Sequence, residues 1–126
     1  MKGCLDTWAI FAWTDGEPAA ADIDRCLRDG ATMNWINLGE VEYIARRRSG
    51  VAFADDLLRT VERLVRADDA TPPRIHAAAA LKAQYRMSYA DCFAVATALA
   101  YDLPLLTGDP EIVEAGVPRL RVVDLR

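Results

Sequence analysis

The sequence has little of the chemistry that most metal and redox sites use. It contains one histidine, His76, and three cysteines, Cys4, Cys26 and Cys92, none of them spaced as a CxxC pair. An odd number of cysteines among apolar neighbours argues against a disulfide framework or a zinc site, so we expect three buried free thiols. A single histidine also excludes a mechanism built on paired imidazoles.

Long apolar runs and excess positive charge are also absent. No segment approaches the roughly 18 to 20 apolar residues that span a bilayer, and the start of the chain reaches Asp6 before a signal-peptide apolar region could form. We therefore expect a cytoplasmic protein. The formal net charge of -4 argues against a protein that coats nucleic acid through a general positive field.

Basic residues are nevertheless concentrated locally. Arg46 to Arg48 form a run, and Arg59, Arg63 and Arg66 recur at helical spacing. Such residues usually form a solvated helix face, which is the favoured interpretation. Contact with phosphate around an acidic site is the alternative.

Composition and patterning together predict the fold class. With 126 residues, 52% of them hydrophobic and 27% charged, the chain fits a single domain over residues 1–126. Strands are predicted at 2–5, 32–36, 104–107 and 117–125, and helices at 8–13, 18–27, 37–48, 53–65, 74–85, 88–101 and 110–115. This alternation predicts an α/β protein, a three-layer α/β/α domain with a central parallel sheet. Sites in such sheets form beyond the carboxyl ends of the strands.

Four carboxylates occupy the junctions between these elements. Asp6 ends the first strand, Glu40 lies in the first turn after the second strand, and Asp109 ends the strand before Pro110. Asp91 lies in the first turn of an almost wholly apolar helix, where burial without a partner would cost several kcal/mol. The topology therefore predicts that all four collect at one edge of the sheet.

Each carboxylate also has a local alternative role. Asn37 and Glu40 have the spacing of a capping box, and Ser88 and Asp91 approximate one, so either acid could satisfy helix amides. The first acid could cap the helix after it, and the last could belong to an ordinary Gly-Asp-Pro turn. Glu42 competes with Glu40 from the other side of the same helix, although the nearby strand end favours Glu40.

The chemistry of clustered carboxylates indicates a divalent cation. Crowded carboxylates raise one another's pKa unless a cation neutralises them. Oxygen ligands without Cys or His select hard ions such as Mg²⁺ or Mn²⁺, which bridge to substrate phosphates. One such metal can activate a bound water and a second can stabilise the leaving oxygen, so hydrolysis of phosphodiesters is the natural reaction.

Four segments, taken in order, resemble a known family. They are Leu5-Asp6-Thr7, Asn37 to Val41, Met87 to Phe93 and Leu105 to Glu111. With these segments the chain resembles the PIN-domain ribonucleases, specifically the VapC-type toxins of bacterial type II toxin–antitoxin systems, over essentially its whole length.

The resemblance implies an activity, a site and partners. It implies a Mg²⁺- or Mn²⁺-dependent endoribonuclease with a PIN-like α/β/α fold. Its acidic cluster, catalytic and metal-binding, would be Asp6, Glu40, Asp91 and Asp109, with Thr107 as a polar helper. The implied partners are an RNA substrate, a second copy in a homodimer, and a cognate antitoxin whose C-terminal segment blocks the site.

Apolar residues outside these segments bear on the partners. Trp13, Trp35, Leu57, Leu58 and Val61 exceed what one small core easily hides, which predicts an exposed partner surface. Burial of these side chains against the Ala-rich helix is the alternative.

Two alternative functions start from the residues around Asp6. Trp8 occupies a position where the resembling proteins usually have Ser or Thr, and its bulk could occlude the metal site. The chain would then be a catalytically silent PIN-like module that binds RNA or antitoxin. Phosphoryl chemistry of the haloacid-dehalogenase or receiver type is disfavoured, because Asp6-Thr7-Trp8 lacks the second acid of a DxD motif.

Overall fold

A five-stranded sheet forms the centre of the protein in the computed structural model, which describes residues 1–126. Its strands are β1 (Gly3–Leu5), β2 (Ala31–Asn34), β3 (Val65–Asp68), β4 (Leu105–Thr107) and β5 (Val122–Asp124). They lie in the order β3-β2-β1-β4-β5, and every neighbouring pair is parallel. All five carboxyl ends therefore meet at one edge, with β1 in the middle.

Helices cover both faces of the sheet, which confirms the predicted α/β/α architecture. They are α1 (Thr7–Thr14), α2 (Ala20–Asp29), α3 (Trp35–Leu64), α4 (Pro72–Gln84), α5 (Tyr89–Tyr101) and α6 (Pro110–Val113). The long α3 is two helical segments joined at Gly50, whose φ of 87° is readily adopted only by glycine. None of the helices is both long enough and apolar enough to cross a bilayer.

The sheet separates two hydrophobic clusters because successive strand residues point to opposite faces. Leu5 and Leu106 pack with α1, α2 and α3 on one face, in a cluster of 19 buried residues. Cys4 and Leu105 pack with α4 and α5 on the other, in a cluster of 12. All three cysteines are buried and free, as the sequence predicts.

The structure corrects three details of the predicted elements. Residues 65–68 form the edge strand β3, whereas the apolar period of the preceding helix had suggested that the helix extends through Val65. Pro72 and Pro73 begin α4 rather than precede it, because proline is tolerated in a first helical turn. The second strand ends at Asn34, which caps α3 in place of Asn37.

Candidate metal centre

Asp6 connects the end of β1 to the start of α1. Its Oδ1 accepts a hydrogen bond from the Ala9 amide at 2.9 Å, so this carboxylate does cap α1. Its Oδ2 accepts a hydrogen bond from the Thr107 hydroxyl at 2.5 Å. The side chain is only 1% exposed, and both of its oxygens keep lone pairs that a cation could use.

Thr107 links two of the predicted acids across the sheet edge. Its Oγ1 donates to Asp6 and accepts from the backbone amide of Asp109, at 3.0 Å for the latter. Asp109 in turn caps the short helix α6, where its Oδ1 accepts from the Glu111 amide at 2.9 Å. These hydrogen bonds fix the end of β4 relative to the end of β1.

Asp91 enters the same region from the first turn of α5. Ser88 is the N-cap of that helix and accepts a hydrogen bond from the Asp91 amide at 3.1 Å. A serine therefore supplies the cap, and the Asp91 carboxylate, only 8% exposed, lines the cleft beside Asp109. Phe93 and the residues after it anchor this turn in the core.

Three carboxylates are close enough to share one cation. Single oxygen atoms of Asp91, Asp109 and Glu111 all lie within 4.8 Å of one another. Three oxygen donors at this separation suit a hard divalent ion that retains some of its water. The residues present thus fit such a metal. Glu111 was not predicted as a site residue, and the sequence indicated it only as the last residue of the segment Leu105 to Glu111.

Glu40, rather than Glu42, lines the cleft with these acids. The Glu40 carboxylate accepts a long hydrogen bond from the Tyr43 hydroxyl at 3.4 Å, and its charge acts on Asp91. Glu42 pairs with Arg46 at 3.1 Å on the outer side of α3. The predicted capping box of Asn37 and Glu40 does not form, since α3 begins at Trp35.

Two of the carboxyl groups have strongly raised pKa values. Burial is the main reason that the pKa of Asp6 rises to about 7; the Asp91 and Asp109 charges add to it, and hydrogen bonds from Thr107 and Ala9 oppose it. Burial also raises the pKa of Asp91 to about 7, followed by the charges of Asp109, Glu40 and Glu111. Ionising these groups together therefore requires a compensating positive charge.

Asn37 joins the starts of three helices beneath the site. Its side-chain Nδ2 donates to the Ala90 carbonyl at 2.9 Å, and its backbone carbonyl accepts from the Thr7 hydroxyl at 3.3 Å. The side chain is fully buried, and its Oδ1 has no hydrogen-bond partner. Sequence reasoning assigned this residue to a helix cap, so its role beside Asp91 was missed.

The acids open into a cleft of about 780 Å³ whose wall includes Trp8. The Trp8 indole lies directly over Gly108, where an added Cβ would be 2.2 Å from the indole Cζ2. The bulk of the indole is thus accommodated by a missing side chain. Asp91 and Asp109 line the same open cleft as Trp8, so the ring does not seal them off.

Comparison with known proteins assigns the sequence to a family. The family model described as PIN domain matches residues 3–118, so the chain belongs to the PIN domain family. No protein with a curated description matches the sequence significantly.

Solved structures with the same fold are toxin–antitoxin proteins. A DNA-bound VapBC from Salmonella typhimurium superposes with a TM-score of 0.78 at 17% identity, over 98% of both chains. VapBC2 from Rickettsia felis, bound to a promoter DNA fragment, gives 0.76 at 14% identity, also over 98% of both chains. VapC20 from Mycobacterium tuberculosis, a Sarcin-Ricin loop cleaving toxin, gives 0.73 at 17% identity, over 94% of this chain and 98% of that one. At these identities the likeness is one of fold.

Proposed function

We propose that this protein is a VapC-like toxin, an endoribonuclease that requires Mg²⁺ or Mn²⁺. The observation that carries the proposal is the grouping of Asp91, Asp109 and Glu111 around one cation-sized position in a PIN domain. The raised pKa values of Asp6 and Asp91 support it, because every charge that shifts these two pKa values is that of another acid. Strongly perturbed pKa values cluster at functional sites.

Each acid has a distinct role in this proposal. Asp91, Asp109 and Glu111 would hold the cation, and Asp6 would contribute directly or through a water molecule. When bound, the cation lowers the pKa of a water molecule and neutralises charge on the scissile phosphate. Glu40, which lines the same cleft, would orient the attacking water or ligate a second cation. Mg²⁺ and Mn²⁺ both suit this all-oxygen set.

Thr107 acts as a positioning residue. Its hydroxyl holds the Asp6 carboxylate and the Asp109 amide at the same time, so the two acids keep a fixed separation. Its hydrogen bond also lowers the pKa of Asp6, which favours the ionised form that binds a cation.

The proposed partners follow from the fold and the surface. RNA is the proposed substrate and a cognate antitoxin the proposed inhibitor: VapC20, which shares the fold, is a Sarcin-Ricin loop cleaving toxin, and VapBC proteins are a family of toxin–antitoxin systems. A homodimer is proposed because Trp35, Tyr43 and Tyr89 leave apolar surface exposed near the starts of α3 and α5. By contrast, three of the residues that predicted a partner surface, Leu57, Leu58 and Val61, are buried in the core and are unavailable to a partner.

A catalytically silent module is the second candidate, and Trp8 in the cleft wall is the observation that favours it. Cation binding separates the two functions. Calorimetric titration with Mn²⁺ should show binding to the wild-type protein and none to Asp91→Asn. No binding to the wild-type protein would favour the silent module.

Cleavage in cells tests the activity itself. The 5′ ends of RNA are sequenced after induction of the wild-type chain, of Asp91→Asn, and of Asp55→Asn as a matched control on the exposed face of α3. We expect new 5′ ends with the wild type and the control, and none with Asp91→Asn. Undiminished cleavage by Asp91→Asn would overturn the assignment of this site.

A further inference from the structure

The cleft has one positively charged side chain, Arg48, among many acids. Its acidic residues are Asp15, Glu17, Glu40, Asp91, Asp109 and Glu111. A divalent cation held by Asp91, Asp109 and Glu111 would offset only part of this negative charge. An RNA strand also carries phosphates on either side of the scissile one, and these would meet unscreened carboxylates unless a cationic side chain receives them.

Arg48 is oriented but weakly held. Its guanidinium carbon lies 4.6 Å from the centroid of the Phe11 ring, a stacking contact that leaves the N–H groups around the edge of the guanidinium plane free to bind. Its Nη1 is 3.6 Å from Asp15 Oδ2, too long for a hydrogen bond. Both side chains are more than half exposed, so the ion pair contributes little to stability and is readily exchanged.

The other members of the arginine run are engaged outside the cleft. Arg46 pairs with Glu42 at 3.1 Å, and Arg47 lies 5.1 Å from the centroid of the Tyr43 ring. Neither residue lines the cleft. In this run, Arg46 and Arg47 therefore belong to a solvated helix face. Only Arg48 remains a candidate for contact with phosphate.

We propose that Arg48 binds a backbone phosphate of the RNA beside the scissile phosphate, an inference that rests on the proposed ribonuclease function. The planar guanidinium offers paired N–H donors that match phosphate oxygens, and a phosphate is a stronger partner than the distant Asp15 carboxylate. Phe11 keeps the guanidinium in the cleft, so little side-chain entropy is lost when the phosphate binds.

Steady-state cleavage kinetics test this role. The substrate is a short single-stranded RNA oligonucleotide that spans a site cleaved by the wild-type protein. Arg48→Gln removes the charge, Arg48→Lys keeps it without the planar fork, and Arg46→Gln is the matched control on the same helix. Each protein is assayed from low to high NaCl concentration.

We expect Arg48→Gln to raise KM about tenfold at low salt, the effect of one charge-assisted hydrogen bond, with kcat unchanged. The slope of log(kcat/KM) against log salt should become less negative by about 0.7, the value for one phosphate on a single strand. Arg48→Lys should keep the wild-type slope with a smaller rise in KM, and Arg46→Gln should match the wild type.

The two levels of the hypothesis fail in different ways. If the wild-type protein cleaves no RNA, the proposed function and the role of Arg48 are both wrong. If the wild type cleaves and Arg48→Gln keeps the KM and salt slope of Arg46→Gln, the role of Arg48 alone is wrong. A melting temperature for each variant verifies that it is folded.

Discussion

Replacement of Asp91 by asparagine should stabilise the cation-free protein, and by an amount that depends on pH. The pKa of Asp91 is about 7 in the folded protein against an ordinary value of 3.8. The folded state therefore binds more protons than the unfolded state between these values, so stability falls as pH rises through this window. Above pH 7 the whole penalty is present, on the order of 4 kcal/mol, because one pKa unit corresponds to about 1.4 kcal/mol.

The measurement is chemical denaturation in EDTA at two pH values. At pH 8, Asp91→Asn should exceed the wild type by roughly 4 kcal/mol, and at pH 5 by roughly 2 kcal/mol. Asp55→Asn, which removes an exposed carboxylate and keeps Asp91, should differ from the wild type in stability by the same small amount at both pH values. With Mn²⁺ in excess, the wild type should regain stability by mass action while Asp91→Asn should not. An advantage of Asp91→Asn that is the same at pH 5 and pH 8 would refute the reasoning.

Two further substitutions test how the site is built. Gly108→Ala should destabilise the protein by about 1–3 kcal/mol in a denaturation assay, since the new Cβ would collide with Trp8, and Trp8→Ala should remove most of this cost. The hydrogen bond from Thr107 lowers the pKa of Asp6, so its loss in Thr107→Val should raise that pKa and move the pH dependence of RNA cleavage to higher pH. Thr107→Ser, which keeps the hydroxyl, should keep the wild-type pH dependence. An unchanged pH profile in Thr107→Val would contradict the role of the hydrogen bond to Asp6. If Gly108→Ala costs as much stability in the Trp8→Ala protein as in the wild type, the predicted collision with Trp8 is wrong.

Elements with strong local signals could be predicted from the sequence. The helix after Ser88 is apolar almost all round and is buried from residue 91 to residue 98. The edge strand β3 could not be predicted, because it has only four residues and just one of them, Asp68, is buried. Its pairing with β2 is a long-range interaction, and the apolar period of α3 masks its first residue, Val65.

The acids of the site differ in how far the sequence reveals them. Asp91 is recognisable because it is the only carboxylate in an apolar helix, and Asp109 because it lies between a strand and a helix start. Glu111 is exposed and resembles any solvated acid; its one signal is the position two residues after Asp109. Asn37 is obscured by its capping-box spacing with Glu40, a local pattern that the earlier end of β2 overrides.

A second buried carboxylate shows what a structural acid looks like in this fold. Asp68 ends β3 and is only 5% exposed. It accepts hydrogen bonds from Arg74 Nε at 2.8 Å, from the Tyr101 hydroxyl at 2.7 Å and from Asn34 Nδ2 at 2.9 Å. Burial raises its pKa, but these donors and the Arg74 charge outweigh burial and bring the pKa to about 2. The chain itself supplies the positive charge that this carboxylate needs.

Asp6 and Asp91 lie at the same edge of the sheet without such compensation. Asp6 receives only a hydroxyl and an amide, and the charges that act on both groups are those of other acids. A fold that pairs Asp68 with an arginine could do the same for these two residues if stability alone were at stake. The missing positive charge is therefore the specific feature that distinguishes the site from a structural network, and a divalent cation is the hard, multiply charged partner that three nearby oxygens can accept.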